Sequence, residues 1–233
     1  LNVYQILLRV NISIPKIYEI NQQQYKIYMQ DFGNDRFNKI YNKDNLYKLL
    51  KLAVDNIIII QNEINLKNLK NLKVYTFDDL KIELKEFVTY YISNNKNSNF
   101  PTSKFYELWE SIFYSQNYNM INFVHKDFEF VNLFFLENYE SHLQCGIIDF
   151  QSAFMGFIGW DLLSLLENPR INFTRDYNDK LIEYFYDNTP IIENLNTFRE
   201  QYYVLSLARL TRLLGRWRKL LSINNDNQYL DCL

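Results

Sequence analysis

Residues 123–166 read FVHKDFEFVNLFFLENYESHLQCGIIDFQSAFMGFIGWDLLSLL, and this stretch decides the fold. Within it His125, Asp127 and Asn132 stand at the spacing H-x-D-x-x-x-x-N, and Asp149 ends an apolar run as I-I-D-F. Such a set supplies a carboxylate to accept a proton from a hydroxyl and two oxygen ligands for a metal ion, which is most of what phosphoryl transfer from a nucleotide asks of a protein. Residues 133–136 and 146–148 can pair as a hairpin around 138–141, which would bring Asn132 and Asp149 to the same end. His125 taken alone is more often a loop hydrogen bond than a catalytic group. The joint spacing carries the reading.

The composition sets bounds around that core. The chain has 233 residues, 48% apolar and 22% charged, enough for one sizeable core or for a small lobe joined to a larger one. A formal charge of −2 gives no general electrostatic reason to expect nucleic acid or an anionic membrane as partner. Cys145 and Cys232 are far apart and form no C-x-x-C, so a reduced, disulfide-free protein is expected. Residues 57–60 are too few to cross a bilayer and residues 154–166 are interrupted by Asp161. With no signal-peptide pattern, a cytoplasmic enzyme with access to ATP is the expectation.

Ahead of the central stretch, residues 1–10 suit the end of a helix, and Pro15 argues against helix at Ile14. Residues 16–20 and 25–29 predict a hairpin, followed by a loop at 30–34. Leu46, Leu49, Leu50, Ala53, Ile57 and Ile60 recur at helical steps, with Asp44 as N-cap. Thr76 and Asp79 resemble a capping box for a helix over 77–92, and a third helix is expected over 103–116, with a polar loop at 94–99 between them. Beyond the central stretch, helices are predicted at 160–167, 176–188 and 197–221. Short strands followed by a mostly helical remainder give an α+β class.

The central motifs resemble the aminoglycoside phosphotransferase family of kinase-like enzymes, whose site reads H-x-D-x-x-x-x-N and then I-D-F/W. The run I-I-D-F-Q-S-A-F-M-G-F-I-G-W-D-L-L-S-L-L-E-N is similar to the branch of bacterial N-acetylmuramate/N-acetylglucosamine kinases. The helix with Glu83 and Phe87 resembles that branch too, as does the late segment with Arg212, Leu214, Gly215, Arg218 and the Tyr229-Leu230 pair. The resemblance implies a protein-kinase-like fold, mainly its helical C-terminal lobe (residues 34–233), with residues 1–33 as a remnant of the N-terminal β-lobe and its hinge. It implies Asp127 as catalytic base, His125 beside it as a structural member of the catalytic loop, and Asn132 and Asp149 as Mg2+ ligands. Asp161 would anchor that loop, its alternative being a helix N-terminal carboxylate. Met29, Gln30, Asp31 and Phe32 would meet the adenine of ATP, or the base of GTP, unless they form an ordinary strand-to-helix loop.

The sequence also departs from the family. Lys126, Glu129, Phe130 and Val131 replace smaller, polar or basic loop residues, and Ser152 stands where a carboxylate is common. The family's nucleotide-covering loop, strand Lys and its acidic partner would precede a segment like residues 1–29, and relatives continue past one like 229–233. A fragment or degraded copy with impaired catalysis is therefore expected. Tyr106 and Trp109 could stack on a sugar but fit a helix core better, and Arg209, Arg212, Arg216, Arg218 and Lys219 are expected on a solvated, salt-bridged face. Three functions stay open: a nucleotide-dependent kinase of a small hydroxylated molecule, foremost a cell-wall amino sugar; an inactive kinase-like remnant; or a kinase of an aminoglycoside, choline or homoserine.

Overall fold

The structure, a computed structural model, describes residues 2–93, 99–116, 121–171 and 175–224. Cys232, the Tyr229-Leu230 pair and residues 94–98 of the expected polar loop lie outside the described residues. The helices are α1 (Asn2–Leu7), α2 (Phe37–Ile40), α3 (Leu46–Glu63), α4 (Phe77–Glu86), α5 (Thr102–Ser115), α6 (Trp160–Leu166), α7 (Arg175–Asp187) and α8 (Leu195–Asn224). The strands are β1 (Ile17–Asn21), β2 (Lys26–Met29), β3 (Ile121–Val124), β4 (Leu133–Phe135), β5 (Cys145–Ile147) and β6 (Phe154–Phe157), which form three antiparallel pairs: β1 with β2, β3 with β6 and β4 with β5. The chain divides into two compact units. The first holds Leu1–Lys73, Met120–Asn168 and Phe173–Leu195, and the second Val74–Asn119, Pro169–Asn172 and Asn196–Leu233.

The first unit is built on α3. Its helical steps put Leu50, Ala53, Val54, Ile57 and Ile60 in the core, each at most 1% exposed. Three buried amides accompany them and tie down backbone that apolar packing alone would leave unsatisfied. Gln61 Nε2 donates to the carbonyl of Phe123 at 2.9 Å, and Asn122 Nδ2 donates back to the Gln61 carbonyl at 2.9 Å, so α3 and β3 are bolted together. Asn56 Nδ2 donates to the carbonyl of His142 at 2.9 Å, which fixes the connection between β4 and β5 to the same helix. Each such bond contributes about 1 kcal/mol. The helix begins one residue later than expected: Asn45 is the N-cap, because Asn42 Oδ1 accepts from the backbone of Asp44 and Asn45 and holds Asp44 in the preceding turn.

The predicted hairpins form. β4 and β5 pair with Leu133 opposite Ile147, and the ribbon is widened on both edges by bridges from Ser13 to Gly146 and from Arg36 to Phe134. Phe32 packs on this ribbon so closely that a Cβ on Gly146 would lie 2.7 Å from its ring. Cys145 is a buried free thiol, and burial pushes it well above the usual thiol range.

In the second unit Phe77, Leu80, Leu84, Trp109 and Ala208 form the core, with Phe105 and Tyr106 packed against it, so the α5 aromatics serve packing. The Thr76–Asp79 capping box is present, the Thr76 N–H donating to Asp79 Oδ2 at 3.0 Å. The helix expected over 77–92 widens into a π-helical turn at Phe87–Ile92. Gly215 of α8 crosses at that place, and a Cβ there would lie 2.2 Å from the backbone nitrogen of Phe87. The basic face of α8 is less solvated than expected. Arg209 is 3% exposed, Arg212 pairs with Glu83 at 3.4 Å, and Lys219 and Arg216 meet Glu86 at 2.6 and 3.5 Å.

Helix propensity alone would favour Ala over Gly at position 215 by about 1 kcal/mol. The backbone contact reverses the sign, since Phe87 N cannot move as a flexible side chain could. Gly215→Ala should therefore destabilise the protein by about 3 kcal/mol, read as a lowered urea midpoint.

Candidate functional site

Three short elements of the first unit place the site. β3 ends at Val124 and delivers His125, Lys126 and Asp127; the β4–β5 ribbon carries Asn132 just before β4 and Ile148 and Asp149 just after β5; α6 supplies Asp161. The ribbon register continues one step past its strands, where the Ile148 N–H donates to the Asn132 carbonyl at 3.1 Å. Asn132 and Asp149 are thus brought to the same end, as the hairpin pattern predicted.

Asp161 is 1% exposed and holds the loop by its backbone. Its Oδ2 accepts from the His125 N–H at 2.8 Å and its Oδ1 from the Lys126 N–H at 3.0 Å. Lys126 has φ 84°, a left-handed conformation that costs a non-glycine residue about 1 kcal/mol or more and persists only where neighbours over-determine it. The carbonyl of Lys126 is also held, accepting from Ser164 Oγ at 3.3 Å. Ser164 lies one helical turn after Asp161 and was not foreseen, although the i, i+3 spacing puts both on one face of α6. Both partners act on Lys126, which fixes the direction in which the chain enters Asp127.

His125 is fully buried and meets the Ile148 carbonyl through Nε2 at 2.9 Å, with its ring edge-on to Phe128 at 5.5 Å. Burial pushes its pKa down to about 4, so at neutral pH the ring is uncharged and Nε2–H is the donor to that carbonyl. It links the 125–132 loop to the residue before Asp149. Asp127 is half-buried; its carbonyl accepts from the Asn132 amide Nδ2 at 2.8 Å and from the Glu129 N–H at 2.9 Å. Because Nδ2 must face that carbonyl, Asn132 Oδ1 points the other way and, among the described residues, makes no hydrogen bond.

Asp149 is exposed and left-handed, with φ 68° and ψ 33°, a conformation Asp tolerates better than most side chains. Its Oδ1 accepts from Gln151 Nε2 at 2.7 Å, while Oδ2 has no protein partner among the described residues. Among those residues no three His, Cys, Asp or Glu side chains converge on one point. Two free oxygens, Asn132 Oδ1 and Asp149 Oδ2, are a donor set that fits Mg2+, which is held by one or two protein oxygens completed by phosphate and water.

The hinge residues divide between two cavities. Met29 and Asp149 line one of about 490 Å³, whose walls are Val3, Tyr4, Ile17, Ile27, Ile148 and Phe150 with Lys73 and Gln151 at polar positions. Gln30, Asp31 and Phe32 line another of about 270 Å³ together with Asp35 and residues 135–139. The Gln30 N–H is already engaged by the Lys16 carbonyl at 2.8 Å, and the Phe32 ring is spent on Gly146 and Phe134.

The buried pair gives an opposed pH dependence. Burial, against the pull of its two amide bonds and with a further push from Asp127, raises Asp161 to about 7, so its contribution to stability is full below about 4 and lost as pH rises through 7. His125 does the reverse: its contribution is full above the ordinary histidine value and lost as pH falls through about 4. The two slopes oppose one another between about pH 4 and 6.5. Asp161→Asn, which also loses one amide bond, should be destabilised overall and should gain stability with rising pH over that window, by up to about 1.4 kcal/mol per pH unit, where the parent is nearly flat. Urea denaturation at a series of pH values measures both.

No family model matches the chain. It is 20% identical over 229 residues to the N-acetylmuramate/N-acetylglucosamine kinase of Caulobacter vibrioides, covering 94% of this chain and 63% of that protein, so it spans less than two thirds of its relative's length. An aminoglycoside-3'-phosphotransferase of type VIII superposes with a TM-score of 0.63 at 8% identity, covering 88% of this chain and 78% of that one. An aminoglycoside phosphotransferase from Streptomyces rimosus, solved with ADP and streptomycin, superposes with a TM-score of 0.59 at 12% identity, covering 89% and 79%. The chain shares the fold of these aminoglycoside phosphotransferases.

Proposed function

We propose that the chain carries the acceptor-side half of a small-molecule kinase site, which transfers the γ-phosphate of ATP or GTP to a hydroxyl group, foremost that of a cell-wall amino sugar. The observation that carries the reading is the clamp from Asp161 to the amides of His125 and Lys126, which presents Asp127 next to an Asn132 whose amide oxygen is free. Asp127 accepts the proton of the attacking hydroxyl, and its position is set by backbone bonds at both ends of the loop. Asn132 and Asp149 would hold Mg2+, which when bound neutralises charge on the phosphate oxygens. The nucleotide lies toward the cavity shared by Met29 and Asp149, with residues 1–33 on the nucleotide side.

The amino-sugar assignment rests on the similarity to the Caulobacter kinase. The second reading, an inactive remnant, is favoured by the β1–β2 hairpin, where Ile27 and Met29 are each 50% exposed on a strand with no residue buried.

Mg-ATP at millimolar concentration should raise the melting temperature, and Asp149→Ala should abolish the rise. Asp127→Asn should keep the rise and lower phosphoryl transfer to amino sugars by about 100-fold or more, followed as ATP consumption. A rise without turnover in the parent protein selects the remnant; no rise at all defeats the kinase reading.

A further inference from the structure

We infer that Gln151 is a positioning residue that selects Mg2+ over Ca2+ at this site. The inference rests on the proposed role of Asp149 and concerns a residue to which that role assigns nothing. Asp149 leads into a short 3-10 turn at Phe150–Ser152 but does not cap it with its side chain. The carboxylate is instead engaged by the amide two residues on, Gln151 Nε2 to Oδ1 at 2.7 Å, within the short range of hydrogen bonds to an ionised acceptor. Both side chains face the 490 Å³ cavity, and both are exposed, so the bond is made in the open site and not in the core.

The left-handed backbone of Asp149 aims the carboxylate, and the Gln151 amide decides which of its oxygens remains. With one side of Oδ1 engaged by a polarised N–H, a cation meets Oδ2 more readily than it meets both oxygens. Approach to both oxygens at once would set the metal charge against the amide hydrogens or require the bond to break. A carboxylate limited to one oxygen suits Mg2+, which is small, six-coordinate and content with single-oxygen ligands. Ca2+ gains affinity from carboxylates that bind through both oxygens and from higher coordination numbers. Asn132 Oδ1 cannot make the distinction, because an amide offers one oxygen to either ion. Discrimination therefore falls on the Asp149–Gln151 pair.

The test uses the full chain with ADP as nucleotide, so that binding is read without turnover, and MgCl2 or CaCl2 as the metal. Affinities from thermal-shift titrations should favour Mg-ADP over Ca-ADP in the parent. Gln151→Leu, which keeps the bulk and removes the donor, should reduce that preference by about tenfold, mostly through tighter Ca-ADP binding. Gln151→Glu, which adds an oxygen ligand beside Asp149, should move the preference further toward Ca2+. A preference unchanged in both variants overturns the role of Gln151 while leaving the kinase site standing. Absence of any Mg-ADP stabilisation in a folded parent overturns both together.

Discussion

Everything proposed for this protein depends on one carboxylate buried beneath a loop. Asp161 takes two consecutive backbone amides, and the second belongs to a residue in a conformation that lysine does not adopt unaided. Removing the clamp would leave two amide donors without this partner and take from the left-handed Lys126 one of the bonds that hold it, so the loop would relax toward ordinary backbone angles. The loop's other bonds would then be lost in turn: the Asp127 carbonyl with the Asn132 amide, and His125 with Ile148. The clamp is electrostatically costly in itself, because burial opposes its charge and Asp127 adds to the repulsion. What it supplies is geometry more than stability.

The clamp works because β3 and the β4–β5 ribbon are held to the same helix. Gln61 and Asn56 lie five residues apart on α3, and their amides reach Phe123 and His142 respectively. The start of the 125–132 loop and the connection of the ribbon are therefore registered against one rigid rod. This arrangement needs polar side chains on the buried face of an amphipathic helix, where an apolar pattern would have placed aliphatic ones.

How much of this could be read in advance follows from the range of the interactions. Helix spacing, the Thr76–Asp79 box and both hairpins are local patterns, and they were legible. The H-x-D-x-x-x-x-N run and I-I-D-F were legible because the ribbon between them brings their ends together by simple strand pairing. Two of the features that escaped are consequences of contacts distant in sequence, and a third is a local competition between caps. The π turn at 87–92 answers to Gly215, the burial of Arg209 to the packing of α8, and the cap at Asn45 to an Asx turn from Asn42 that competes with Asp44. Ser164 was within reach of helical reasoning but has no distinctive chemistry, so nothing in the sequence singles it out.

The site is also unevenly built, and that asymmetry bears on how it would operate. Asp127 and Asn132 are half-buried and secured by backbone and amide bonds on several sides. Asp149 is exposed, left-handed and held through its side chain by a single exposed amide, and Met29 beside it is half-exposed on a two-stranded ribbon. On the proposed reading, the Asp127–Asn132 side is preorganised by the fold, whereas the Asp149 side would be ordered by what binds there. Ordering draws on binding energy that would otherwise appear as affinity. The same openness gives the Gln151–Asp149 bond its weight, since on that side little else restricts how a cation is met.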